Sequence, residues 1–424
     1  VADPIRLISE AASLLFANGQ TTHRVVLDTT RLASAYGYDA HVLTQWDAIY
    51  LRLRRAADET APWQVHVLEV KPAGVDMQKV ARTNQLIDQV CEAKDPLAPD
   101  RLAMADEGFK AIVALKPSSD VRFALMAGAG AGALGIVFGV TEPLTIALIF
   151  IAALLGAILR RVLGRFSSNL FLQPLAAALV AGLLGGYAQT LFEGAALQFV
   201  EIAPCMILVP GAHILNGSLD LIRGRLGLGV SRLAYCALIL VAICTGLMLG
   251  LTIAGSSLAT SLLPSHTPIW IDIIAAGVAV AAFGVFFSLP WQMLSAPVLV
   301  GMFCHGSRWL VLESGGAVVL GALVACLIAG CAMTVLSRWL KLPFAALAFA
   351  SVVSMMPGIF IFKFASGLID VYVAGEQATL PMLSTVVSLG TATLLIVLVM
   401  TIGLIVPKMM IEAYADARAS QKTS

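Results

Sequence analysis

Charge is scarce in this chain. Only 12% of its residues are Asp, Glu, Lys or Arg, against about 25% in soluble domains, while 59% are hydrophobic and the mean hydropathy is +0.88. Water cannot be the main solvent of such a surface. Neither sign of charge dominates: 26 acidic residues nearly cancel 27 basic ones, which removes the basic field that nucleic acid requires. Six of the seven cysteines (Cys205, Cys236, Cys244, Cys304, Cys326, Cys331) lie inside apolar runs with no CxxC pair, so neither a disulfide framework nor a metal site is expected. HExxH, GxSxG and paired-Asp motifs are missing from the apolar runs, so no catalytic residue is assigned there and an enzyme is not expected. The glycine-rich runs, such as Gly128 to Gly132, are too alanine-rich for phosphate loops and read as close helix packing, leaving no cofactor. The opening Val1-Ala2-Asp3-Pro4 has no basic n-region or apolar h-region, so export of the N-terminal segment is not expected.

What is present divides in two. Residues 1–115 carry most of the charge and no apolar stretch long enough to span a bilayer. Helical patterns run from Pro4 to Ala17 and Thr21 to Tyr36, strand-like alternation covers 41–43, 48–53 and 63–68, and two more helices are predicted near 75–91 and 99–114. From Val121 onward the apolar runs lengthen into ten predicted spans, near 121–140, 143–163, 169–192, 199–216, 231–254, 268–288, 290–306, 312–335, 343–365 and 381–407. With ten spans, Arg122, Arg160, Arg161, Arg165, Arg223, Arg225, Arg232, Arg338, Lys341 and Lys408 fall on the face of the N-terminal segment. The positive-inside rule makes that face, and both termini, cytoplasmic.

The interval from Pro210 to Pro357, 147 residues, also superposes Pro143 on Pro290, Arg161 on Arg308, Ser167 on Ser314 and Pro210-Gly211 on Pro357-Gly358. Five spans per half is an odd number, so the second half enters from the opposite face. The expected fold is an all-α polytopic membrane protein of about ten transmembrane helices in two inverted five-helix repeats (116–266 and 267–424), preceded by a small cytoplasmic α+β domain (1–115). Two similar packings of near-equal energy are what alternating access needs.

Proline removes a backbone donor and a following glycine adds freedom, so Pro210-Gly211 and Pro357-Gly358 should break the fourth and ninth spans and free backbone groups for a polar cavity. With them His213, Asn216 and Lys363 are the substrate-binding candidates. Asn216 and Lys363 occupy the same repeat position, and Lys363 can pair with an anionic group. His213, Asp220, Asp370 and Glu201 are candidates for ion coupling, with Glu142, Asp272 and Glu313 further ionisable groups near the spans. His23, His41 and His66 with Asp28, Asp39 and Asp47 are the groups a catalytic N-terminal domain would use, though their spacing follows no site template.

Four blocks carry a family resemblance: Leu15-Phe16-Ala17-Asn18-Gly19-Gln20-Thr21-Thr22-His23-Arg24-Val25; Gly74-Val75-Asp76-Met77-Gln78-Lys79-Val80 through Asn84-Gln85-Leu86-Ile87; Leu208-Val209-Pro210-Gly211 with Asn216-Gly217-Ser218-Leu219-Asp220-Leu221-Ile222; and Met355-Met356-Pro357-Gly358. In this order the chain resembles the bacterial threonine/serine exporter family over nearly its whole length. The resemblance implies proton-driven efflux of threonine and serine across the bacterial inner membrane, and related two-subunit members are associated with succinate export. It implies no settled site residues. A C4-dicarboxylate exporter, a membrane-embedded enzyme and an uncoupled channel are the alternatives. Expected partners are a small solute, the lipid bilayer and, as an arrangement the sequence allows, a homo-oligomer.

Overall fold

The computed structural model describes residues 3–260 and 267–423; the expected boundary between the repeats, at 266, lies outside the described residues. The chain opens with α1 (Pro4–Ala17), whose N-cap Asp3 accepts from the Ile5 amide, and α2 (Thr22–Ala35). Gly19, at φ +90°, makes the turn between them. An antiparallel meander follows, β1 (Tyr38–Thr44), β2 (Ala48–Arg55) and β3 (Gln64–Glu69), in which Leu51 sits opposite Val42 and His66. Ile49, Leu51 and Leu53 of β2 are buried in one core with α1, α2, α3 (Met77–Cys91) and α4 (Pro99–Val113).

The remaining helices are long and apolar: α5 (Asp120–Val137), α6 (Pro143–Phe166), α7 (Leu172–Leu191), the short α8 (Phe199–Met206) and α9 (Gly211–Ile222), α10 (Leu226–Ile253), α11 (Ile269–Phe286), α12 (Ser295–Glu313), α13 (Val318–Leu340), α14 (Phe344–Ser351), α15 (Gly358–Ala374) and α16 (Leu380–Thr423). Among the described residues eight helices are long and apolar enough to cross a membrane, or nine when the bent pair α8–α9 counts as one span. The chain is a multi-pass membrane protein. The predicted span at 290–306 corresponds to α12, which is helical but not among these. Ser295, His305, Ser307, Arg308 and Glu313 dilute its hydropathy.

The two halves pack alike. In the first, α6 lies against α5, α7 and α8, and α10 against α7 and α9; in the second, α12 lies against α11, α13 and α14, and α16 against α13 and α15. Small residues permit the closest approaches, Gly182 with Gly250 between α7 and α10, and Gly330 with Gly403 between α13 and α16. Across the halves α5 packs on α11, α8 on α15 and α9 on α14. The two helices α5 and α11 run antiparallel. Ser118, before α5, donates from Oγ to the Val285 carbonyl at the end of α11 (3.3 Å), and Thr267, before α11, donates to the Ile136 carbonyl at the end of α5 (3.1 Å).

The N-terminal unit is fastened to both halves. Thr22 donates to Asp220 (2.9 Å) and Trp46 packs on Tyr235 in the first half; the Met77 amide donates to the Phe287 carbonyl (2.9 Å) and Asn84 to the Lys341 carbonyl (2.9 Å) in the second.

Candidate functional site

Each half contains a helix that stops and restarts at Pro-Gly. After Met206 the chain leaves the helix, the Gly211 amide turns back to the Val209 carbonyl (2.9 Å), and α9 grows from the Pro210 carbonyl, which accepts from His213 and Ile214 (both 3.1 Å). The axes of α8 and α9 differ by 54°. In the second half α14 ends at Ser351, a 3-10 turn covers Val353–Met355, and α15 grows from the Pro357 carbonyl (2.9 Å to the Ile361 amide). Neither proline has a backbone donor to continue the ladder.

The two breaks cross. A Cβ at Gly211 would collide with the ring of Phe349 in α14, and one at Gly358 would stand 2.6 Å from Cγ of Met206 in α8. Each restart thus lies on the first segment of the opposite broken helix. Among the described residues, no backbone amide donates to the Ile207 or Leu208 carbonyl.

A cavity of about 590 Å³, within the range of small-molecule pockets, runs from the N-terminal unit to the first break. Its floor is the segment from Ile207 to His213, and its walls include Arg160, Arg161 and Arg165 at the end of α6 and Phe286 at the end of α11. Asp120 pairs with Arg165 and stands 3.7 Å from Arg161, which also donates to the Ser118 carbonyl (3.0 Å). Arg160 has no acidic partner among the described residues: its guanidinium lies over the Phe286 ring, 4.9 Å from the centroid, and its buried Nε is without a hydrogen-bond partner. His213 meets Tyr235 edge-on at 5.6 Å, with Nδ1 also unpartnered.

Of the residues expected to bind substrate, Pro210, Gly211 and His213 line this cavity. Asn216 and Asp220 face the N-terminal unit instead. Asn216 donates to the Gly19 carbonyl (3.2 Å), and Asp220 lies 3.1 Å from the fully buried Arg232 as well as bonding Thr22. Pro357 and Gly358 sit at the second break, and Lys363 is buried in a separate polar network where Nζ donates to Gln198 Oε1 (2.6 Å) and to the Ala259 carbonyl (2.7 Å). Glu201 stands within electrostatic reach of Lys363, accepts from Gln189 (2.7 Å) and has its other oxygen buried without a partner. Only glycine at 185 leaves room for its carboxylate. Asp370 lines a second cavity of about 550 Å³ between α15 and α16.

The His and Asp residues of the N-terminal unit do not converge: the His41 ring lies tilted against Trp63 (4.9 Å), Asp39 pairs with Arg54 (2.8 Å) and Asp28 lies 3.5 Å from Arg24. Burial pushes the Asp28 carboxyl above its ordinary range, against the pull of Arg24. Sequence reasoning took Arg160 only as a charge that orients the chain, and it passed over Gln189, Gln198 and His305. The last accepts or donates a 2.5 Å contact at Asp272 between α11 and α12. The signal for Arg160 was the Arg-Arg pair ending an otherwise apolar helix.

A polytopic helical protein whose two discontinuous helices cross beneath a polar cavity has the architecture of a solute transporter. Residues 6–254 match a family model described as "Putative threonine/serine exporter", and residues 272–410 match a second described as "Threonine/Serine exporter, ThrE". The threonine/serine exporter of Corynebacterium glutamicum is 25% identical over 384 residues, covering 86% of this chain and 75% of that protein. No solved structure matches. The chain belongs to the threonine/serine exporter family and is a transporter, not an enzyme.

Proposed function

We propose that this chain exports small polar amino acids of the threonine/serine type across the bacterial inner membrane, with its N-terminal domain (1–115) and both termini in the cytoplasm. The two membrane parts (116–266 and 267–424) act as inverted repeats that rock about the crossed breaks, and the cavity at Pro210-Gly211 is the inward-facing entry. The carrying observation is that crossing, together with the antiparallel course of α5 and α11 and the matching packing of the halves. The arginines clustered on the side of the N-terminal unit support the orientation.

Three arginines (Arg160, Arg161, Arg165) and two carboxylates (Asp76, Asp120) line the cavity, an excess of one positive charge, which suits a single carboxylate better than a dicarboxylate. Export is coupled to protons, with Glu201 beside Lys363 as the exchanging carboxyl where α8 meets α15. Intramembrane ionisable groups are costly, and a pair held at a helix crossing senses its rearrangement. Proteoliposome counterflow of labelled L-threonine tests the proposal. Saturable exchange, inhibited by L-serine and not by succinate, is expected; uptake no greater than in empty vesicles, or stronger inhibition by succinate, defeats it.

A further inference from the structure

We propose that Arg160 anchors the α-carboxylate of the exported amino acid while the Ile207 and Leu208 carbonyls take its ammonium, a zwitterion site that exists at the first break and has no equivalent at the second. The assignment rests on the cavity being the substrate's entry.

The geometry carries both halves of it. The Arg160 guanidinium is held by the ring face of Phe286 rather than by an acid, so its planar fork of donors is oriented and unspent. The acids that share the cavity are committed elsewhere, Asp120 to Arg161 and Arg165, and Asp76 to the Lys79 amide at the start of α3 (3.0 Å). Ile207 and Leu208, whose carbonyls the break releases from the helix ladder, line the same cavity and share with Arg160 a smaller recess beside it. They lie past the C-terminal end of α8, where the helix dipole favours a cation. A donor fork on the wall and free carbonyls in the floor segment of one cavity match the adjacent carboxylate and ammonium of an α-amino acid.

The repeat makes the site one-sided. At the interval of 147 residues Arg160 corresponds to Ser307, His213 to Phe360, Gln173 to Leu320 and Tyr235 to Met382. At the second break Ser307 stands in place of Arg160, and the arginine of that helix end, Arg308, is the mate of the acid-paired Arg161, so the protein binds tightly on the side of the N-terminal unit and releases on the other.

The test is binding of labelled L-threonine to the purified full chain in nanodiscs, with L-threoninamide and N-acetyl-L-threonine as competitors. Wild type should prefer threonine to both by roughly ten- to hundredfold, the worth of a charge-assisted contact. Arg160→Gln should lower threonine affinity by a similar factor without changing the weak competition by threoninamide, and Arg160→Lys should fall between. Unchanged affinity in Arg160→Gln, or a wild type that takes threoninamide as tightly as threonine, overturns the carboxylate assignment. Equal competition by the N-acetyl compound overturns the ammonium assignment. If Arg160→Gln does not yield monodisperse protein, Arg160→Lys and the wild-type competition decide. A wild type that binds succinate but neither amino acid, and loses it in Arg160→Gln, keeps the anchor while the amino-acid reading falls; a wild type that binds no carboxylate sinks both.

Discussion

The two breaks share a backbone plan and differ in what surrounds it. At Pro210-Gly211 the chain opens onto a cavity with arginines on its wall, and the helix that follows carries a buried ion pair, Asp220 with Arg232. At Pro357-Gly358 the surroundings are Met206, Phe360 and Met356, and the charge has moved down the helix to Lys363, enclosed by Gln198 and the Ala259 carbonyl. Gly367 and Thr379 stand where the repeat interval would place Asp220 and Arg232. The two crossings are built alike, and unequal side chains give each its own chemistry.

The contrast can be broken experimentally. The largest expected effect is Asp220→Ala, which leaves Arg232 buried and unpaired and should cost about 3–5 kcal/mol; thermal unfolding followed by size-exclusion chromatography reads it. Gly367→Ala at the matching position should cost less, since the atoms nearest the Cβ belong to the Val386 and Thr260 side chains and no charge is left unpaired. Glu201→Gln should abolish export driven by a pH gradient while threonine counterflow persists, and equal loss of both would remove Glu201 from coupling. Gly211→Ala, which drives a methyl into the Phe349 ring, should fall at the upper end of the roughly 1–3 kcal/mol cost of overpacking. Gly358→Ala should fall at the lower end, because the flexible Met206 can give way.

The smallest effects belong to the N-terminal unit. Asp88 is raised by burial, but hydrogen bonds from Lys341 and Arg31 outweigh this and hold its carboxyl below the ordinary value of 3.8. A depressed carboxyl contributes stability that is present above the unfolded value and lost as pH falls through the folded one, so this link to the second half loosens only below about pH 4. Asp88→Asn should cost under about 1 kcal/mol at neutral pH, since its partners are half exposed. Asp28 has the opposite sign. Its raised carboxyl favours the fold most below the unfolded value, and that contribution is lost as pH rises through the folded one, so Asp28→Asn should raise the unfolding midpoint at neutral pH.

Apolar runs and turn residues made the helices legible in the sequence. Pro4 to Ala17 follows from its cap and its stop, and the Pro-Gly pairs mark where two spans are interrupted. Span counting was harder at α12, because a helix buried among others tolerates His305 and Arg308, which a hydropathy window counts against it. The site was less legible because its chemistry depends on distant partners. Asp220 finds Thr22 from 198 residues away and Lys363 finds Gln198 from 165. Arg160 is set apart from the neighbouring arginines only because Asp120, on another helix, is taken by Arg161 and Arg165.

The grip of the N-terminal unit on both halves sets a mechanical condition. Thr22 holds α9, while Met77 and Asn84 hold the ends of α11 and α13. Hydrogen bonds tolerate little stretching before they fail. In the proposed rocking of the halves, shutting the mouth beneath the unit therefore means unclasping one side, and the meander with its four helices must ride with whichever half it keeps.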